Sequence, residues 1–192
     1  FPNLEVHLED GVVTEIEGGG AYGDAWRELL AETRDVKYPD FAREGLFHWW
    51  ECAIGTNPLV HRPQNTMMLG GGGMERERNR SGVIHCGFGT RWRGESERWA
   101  GENGIPYGHL HIHLLFPTYD IEVGGRTHRV IEDGHLTALD DPEVRDLAAK
   151  YGDPDDLLNE RWIPEIPGIS APGTYEDYAS DPYAVVKGQL AE

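Results

Sequence analysis

His109-Leu110-His111-Ile112-His113-Leu114-Leu115-Phe116 places an imidazole at every second position, with apolar residues between and after. That period is the alternation of a β-strand, in which successive side chains leave opposite faces. One face of the strand therefore carries His109, His111 and His113, and the other is apolar. Imidazole is the commonest metal-binding side chain, and same-face neighbours on a strand suit one shared ion. Chance clustering is the competing account, since the chain holds nine histidines in 192 residues. Candidate ligands in other strands weigh against it.

Upstream, Ser81 to Gly89 is a strand candidate that carries His85, and its Gly87 and Gly89 signal a close backbone approach or a bulge. Leu46 to Ile54 is a mostly apolar run with one carboxylate, Glu51. A buried Glu must be paired, protonated or metal-bound; an edge position facing water is the alternative. Three separate strands thus each offer a ligand or a proton carrier. Gly70 to Gly73, followed by Met74 to Arg80, lacks the spacing of a phosphate-binding loop and its terminal Lys-Ser/Thr. It reads as a mobile surface loop with a solvated run of charges.

Turn signals frame the rest. Leu4 to Leu8 and Val12 to Ile16 alternate on either side of Glu9-Asp10-Gly11, which predicts a hairpin. Ala21 to Arg34 has helical spacing, and 91–106 reads as a loop with a short helix. Tyr119 to Val123 and Arg126 to Ile131 flank Gly124-Gly125 as a second hairpin, with Asp133-Gly134 as a further turn. Asp140 or Asp141 caps a helix that Pro142 opens and that runs to about Lys150. These elements predict an α+β fold: a twisted, partly closed, mainly antiparallel or mixed sheet with flanking helices and an extended Pro-rich C-terminal tail. Residues 1–152 form the expected metal-binding domain and 153–192 an arm. Along that arm, Trp162, Ile163, Ile166, Ile169, Tyr175, Tyr178 and Tyr183 are anchors for another subunit, so a homo-oligomer is expected. Phe1 falls almost directly in a strand-like run, and the expectation is that an N-terminal half precedes it or comes from another chain.

Composition narrows the partners. A net charge of -17 repels phosphate backbones and anionic bilayers, so neither nucleic acid nor membrane is expected. No apolar run approaches the roughly 20 residues of a membrane helix. Two cysteines, Cys52 and Cys86, make no disulfide framework, and a cytoplasmic setting fits.

Glu51-Cys-Ala-Ile-Gly55-Thr56-Asn57-Pro58 resembles the Glu-x-x-x-Gly-x-Asn-Pro segment of the aminopeptidase T superfamily of metallopeptidases. Ser81-Gly-Val-Ile-His85-Cys-Gly-Phe-Gly89 is similar to that superfamily's Gly-Thr-x-His-x-Ala-x-Gly strand. The histidine strand stands where its His-x-Asp pair would be, ahead of a hairpin and an Asp-Gly turn as at Asp133-Gly134. The resemblance spans about Leu4 to Leu139 and corresponds to the C-terminal half of such proteins. The superfamily includes 2,5-dihydroxypyridine 5,6-dioxygenases, which are mononuclear Fe(II) ring-cleaving enzymes. Histidine replaces the aspartate of His-x-Asp, whether the pair is His109/His111 or His111/His113. His109/His111 is preferred because Pro117-Thr118 then falls at a family-like distance. Fewer carboxylates mean less negative charge to hold two divalent ions together.

The resulting expectation is a mononuclear Fe(II) dioxygenase acting on a hydroxylated aromatic or N-heteroaromatic small molecule. Glu51, His109 and His111 are its metal ligands, and His85 or His113 its acid/base. Trp49, Trp50, Trp92 and Trp99 are candidate stacking walls, most of them core. A zinc or cobalt metalloaminopeptidase is the first alternative. A non-catalytic subunit that completes a site with a partner chain is the second.

Overall fold

In the computed structural model, residues 3–39, 41, 43–60, 79–89, 94–160, 167–168, 171–182 and 184 are described. The fold is α+β, with two sheets and several short helices. The larger sheet has the order β1-β2-β3-β4-β5 (Leu4–Glu9, Val12–Gly18, His48–Ile54, Ile84–Gly89, His109–Leu114). The smaller has the order β6-β7-β8 (Tyr119–Val123, Arg126–Glu132, His135–Leu136). Two open sheets replace the single, partly closed sheet expected. Backbone contacts divide the chain into one unit of residues 1–52 with 86–112 and another of 53–85 with 113–192.

In the first unit, β1 and β2 form the expected antiparallel hairpin, with Glu9 opposite Val12. Asp10 and Gly11 between them both have positive φ, 50° and 74°. That is the primed turn whose twist matches the flanking strands. Gly18 and Gly19 then turn the chain into α1, Gly20–Thr33. Its buried residues are Gly23, Trp26 and Thr33, roughly a helical repeat apart, so one stripe faces the sheet. Arg27 of α1 donates to the carbonyls of Ile16 and Gly18 at 3.0 and 3.2 Å and ties the helix to β2. Trp26 packs on Phe47 and Phe88, with ring centroids 5.6 and 6.2 Å apart. A second cluster centres on Tyr38, which meets Phe41, Trp99 and Tyr107 edge-on and donates to the Pro106 carbonyl at 2.6 Å. Burial and the neighbouring Tyr107 push its phenol up to about 12. Trp99 comes from α2, Gly94–Asn103.

In the second unit, β6 and β7 pair across Gly124-Gly125, with Val123 opposite Arg126 and φ of 60° and 73° at the glycines. Asp133-Gly134 turns β7 into β8. Asp141 accepts a hydrogen bond from the Glu143 amide and caps α3, Pro142–Ala148, as the Asp-Pro signal predicts. Ile131, Leu136 and Leu139 form a small core, and Val83 and Ile84 are also buried.

Other expectations change. The run around Glu51 is not mostly buried: beyond His48, Trp49, Trp50 and Ile54 of β3 are part-buried, and Glu51, Cys52 and Ala53 are exposed. Arg80 is not a solvated charge but 3% exposed; it donates to the Ser81 carbonyl and is attracted to Glu160. The arm from Asp153 is not extended throughout. It carries α4 (Pro154–Leu157) and α5 (Tyr175–Ser180), capped by Asp153 and Thr174. Gly70 to Gly73, Trp92 and the anchors Trp162, Ile163, Ile166, Ile169 and Tyr183 lie outside the described residues. Among the described residues no helix is long and apolar enough to cross a membrane.

His135 of β8 ties this arm down. Its Nδ1 lies 2.7 Å from Glu160 Oε2 and its Nε2 2.7 Å from Asp140 Oδ2. Neutral imidazole has one N–H, so donating to both carboxylates takes the imidazolium. Burial alone would lower the His135 pKa; hydrogen bonds and attraction from Asp140 and Glu160 outweigh it, and the net shift is upward from 6.5. A raised folded-state pKa contributes stability that is complete below the unfolded value and lost as pH rises through the folded one. Relative to His135→Gln, the native chain should therefore keep its full stability advantage below its ordinary value of 6.5 and lose it as pH rises through the raised folded-state value. Urea midpoints of the two proteins read this; a pH-independent difference would mean the clamp is not electrostatic.

Candidate metal centre

Glu51 stands on β3, and His109 and His111 stand on β5, with β4 between them. Strands two apart in a sheet are separated by roughly 9.6 Å, so side chains from β3 and β5 meet only by leaning over β4. Gly87 of β4 makes this possible. A Cβ there would come within 2.9 Å of Glu51 Cβ, 3.0 Å of Glu51 Oε2 and 3.3 Å of His109 Nε2. Any larger residue at 87 would fill the space in which the three side chains converge. The close approach expected at this glycine is thus an approach of side chains across it.

The three ligand atoms form a compact triangle. His109 Nε2 and His111 Nε2 are 2.6 Å apart. Glu51 Oε2 lies 3.1 Å from His111 Nε2 and 3.9 Å from His109 Nε2. The circle through these corners has a radius of about 2 Å, the length of a metal–nitrogen or metal–carboxylate bond. One ion near its centre therefore reaches all three without rearrangement. Around such an ion the three donors lie close to one plane and leave positions above and below it open, and two imidazoles with one carboxylate are the donor types of ions that keep open positions. The Glu51 and His111 side chains are 47% and 36% exposed, against 18% for His109, so the group opens toward solvent on the Glu51–His111 side. Trp50 braces β3 beside it, donating from Nε1 to the Gly89 carbonyl at 2.5 Å. Trp49, on the other side of Glu51 in sequence, stacks on Phe88 with planes 4° apart. Both are built into the packing.

Glu51 reaches the histidine strand, but not for the reason its sequence suggests. The carboxylate is half-exposed, and the geometry of the neighbouring strands, rather than burial, brings it to the imidazoles.

His85 and His113, both in the second unit, form a separate pair. His85 Nδ1 lies 2.7 Å from His113 Nε2, with ring centroids 4.8 Å apart. His85 is 3% exposed. One ring of such a pair donates and the other accepts, so a proton can be passed between them. A further group of ligand-type side chains, His7, Glu15 and Glu17, was not anticipated. It was readable from the hairpin, since His7 pairs directly with Glu15 across the strands. All three residues are exposed, and His7 lies 3.2 Å from Glu5 and 3.9 Å from Glu17, the ordinary charge pairing of a solvated hairpin face. Cys52 and Cys86 are free thiols that hydrogen-bond to each other, and burial pushes the Cys86 thiol up to about 11.

No family model matches the chain, and no curated protein or solved structure matches it.

Proposed function

We propose that the chain is a mononuclear non-haem Fe(II) dioxygenase that opens the ring of a hydroxylated aromatic or N-heteroaromatic small molecule. The observation that carries this reading is the convergence of Glu51, His109 and His111 over Gly87. Glu51 contributes one negative charge and the imidazoles none, so the chain only partly neutralises a divalent ion and leaves room for an anionic substrate oxygen. Iron held there would supply open positions for substrate and O2 and a path for electrons from the substrate ring to O2, both of whose atoms end in the ring-opened product. His109, the least exposed of the three, fixes the inner corner, and the edge of Glu51 and His111 stays open to solvent. A proton can pass between His85 and His113 across their 2.7 Å contact, and an acid/base role is assigned to the pair on that chemistry.

The donor set also suits zinc or cobalt, and a metalloaminopeptidase is the competing reading. It fares less well because the one carboxylate of the group is itself a ligand, with no second one beside it, among the described residues, to bridge another ion. A third reading makes the chain a non-catalytic subunit whose partner completes the site. A small-molecule substrate, a homo-oligomer held through the C-terminal arm and a cytoplasmic setting belong to the first reading.

Oxygen uptake tests it. Protein loaded anaerobically with Fe(II) should consume O2 with at least one member of a panel of dihydroxylated benzenes, naphthalenes and pyridines. If it consumes none while zinc- or cobalt-loaded protein releases aniline from aminoacyl-anilides, the peptidase reading replaces this one. Silence in both assays would favour the incomplete subunit.

A further inference from the structure

A half-open cavity of about 380 Å³ lies in the first unit, with His109 in its wall. Trp26 and Leu29 of α1, Phe47, and Phe88 and Gly108 line most of the remainder. No Lys, Arg, Asp or Glu is among the described residues of its wall. His109 is thus shared: one residue borders an apolar cavity and, through Nε2, belongs to the triangle with Glu51 and His111.

Size and chemistry together restrict the occupant. An engineered apolar cavity of about 150 Å³ suffices for benzene, so a single ring would leave much of this one empty. Its volume instead lies in the range of small-molecule sites. An ionised group placed among Trp26, Leu29, Phe47 and Phe88 would lose part of its hydration and meet no opposite charge among the described residues, which is unfavourable. Aromatic walls, by contrast, suit a flat apolar guest. We infer that this cavity binds the apolar portion of an uncharged, ring-fused or alkyl-substituted hydroxyaromatic, whose hydroxyl end lies toward His109. This rests on the reading of Glu51, His109 and His111 as the iron ligands, and it selects, within that reading, against ring substrates that carry a carboxylate on the inserted side.

Gly108 allows a direct test. It lines the cavity, an added Cβ meets nothing within 4 Å, and its φ is not in the left-handed region. Gly108 stands at the exposed edge of that wall, so Gly108→Leu should narrow the mouth of the cavity without disturbing the backbone. Metal-free protein is titrated calorimetrically with 2-naphthol and with 6-hydroxy-2-naphthoic acid, whose carboxylate sits on the ring remote from the hydroxyl. The native chain should saturate with 2-naphthol and bind the carboxylated compound at least tenfold more weakly. Gly108→Leu should bind 2-naphthol at least tenfold more weakly, with unchanged circular dichroism and unchanged Fe(II) stoichiometry. Absent saturation, equal affinity for the two compounds, or unaltered binding by Gly108→Leu each overturns the inference. If Gly108→Leu does not fold, Leu29→Asp, which puts a charge at a half-buried position in the same wall, is read in its place. Failure of the iron reading looks different: naphthol still binds the metal-free chain and responds to these substitutions, but Fe(II) does not bind or no O2 is consumed. An iron-dependent oxygenase that is indifferent to Gly108→Leu would be the converse.

Discussion

His111→Ala should lower Fe(II) affinity at least a hundredfold while leaving the fold in place. His111 is one of three corners, and the pair left without it, Glu51 and His109, is the most widely separated at 3.9 Å. Partners that merely orient a metal ligand are worth about 10- to 100-fold in affinity, so a ligand itself sets a larger loss. The side chain is 36% exposed, and truncating it opens no core cavity, so circular dichroism and the urea midpoint should stay near those of the native chain. Glu51→Gln makes the sharper comparison. It keeps the shape and removes the only negative charge of the triangle, and the affinity should again fall steeply. Gly87→Ala tests the same geometry with every ligand intact, because the new methyl would sit 2.9 Å from Glu51 Cβ and 3.3 Å from His109 Nε2. Anaerobic titration with Fe(II), or with Co(II) followed by its visible absorption, reads all three. Native-like affinity in His111→Ala and Glu51→Gln would remove the triangle from consideration as a metal site.

The largest loss of stability is expected from a methyl group at a different glycine. Gly82 has φ of 74°, and a Cβ on it would lie 1.8 Å from the Gly134 carbonyl oxygen. Both penalties act at once. The left-handed backbone disfavours a side chain by roughly 1–2 kcal/mol, and forcing extra volume against packed atoms costs typically about 1–3 kcal/mol more. The neighbour is backbone, which cannot swing aside like the end of a side chain, so Gly82→Ala should lose roughly 3 kcal/mol. A suitable control is Gly101→Ala in α2, where an added Cβ meets nothing within 4 Å. Alanine is the better helix former there, and stability should rise by roughly 0.5–1 kcal/mol. Urea denaturation of both variants gives the two signs. A Gly82→Ala protein as stable as the native chain would show that the approach of Gly82 to Gly134 is not part of the folded state.

What the sequence determined by itself is local. Asp10-Gly11 and Gly124-Gly125 make hairpins because two residues of positive φ between alternating strands have few other conformations available. Asp141-Pro142 starts a helix because an acceptor side chain and a residue without an N–H suit its first turn. The alternation of His109, His111 and His113 likewise fixes a strand, since a period of two is incompatible with a helix. Partners from distant parts of the chain were decided only by the tertiary structure. Glu51 meets His109 and His111 because Gly87 leaves a gap on the strand between them, and nothing in the neighbourhood of Glu51 encodes that gap. His113, one step further along the same strand, instead pairs with His85. Arg80, which looks like one charge in a solvated run, is buried and attracted to Glu160, 80 residues later. His135 takes Glu160 as well, and Gly82 is a glycine because the backbone at Gly134 lies against it. Periodicity and turn chemistry act over a few residues and are written in them. A contact between strands depends on how sheets assemble and which side chains leave room, and that is settled only when the chain has folded.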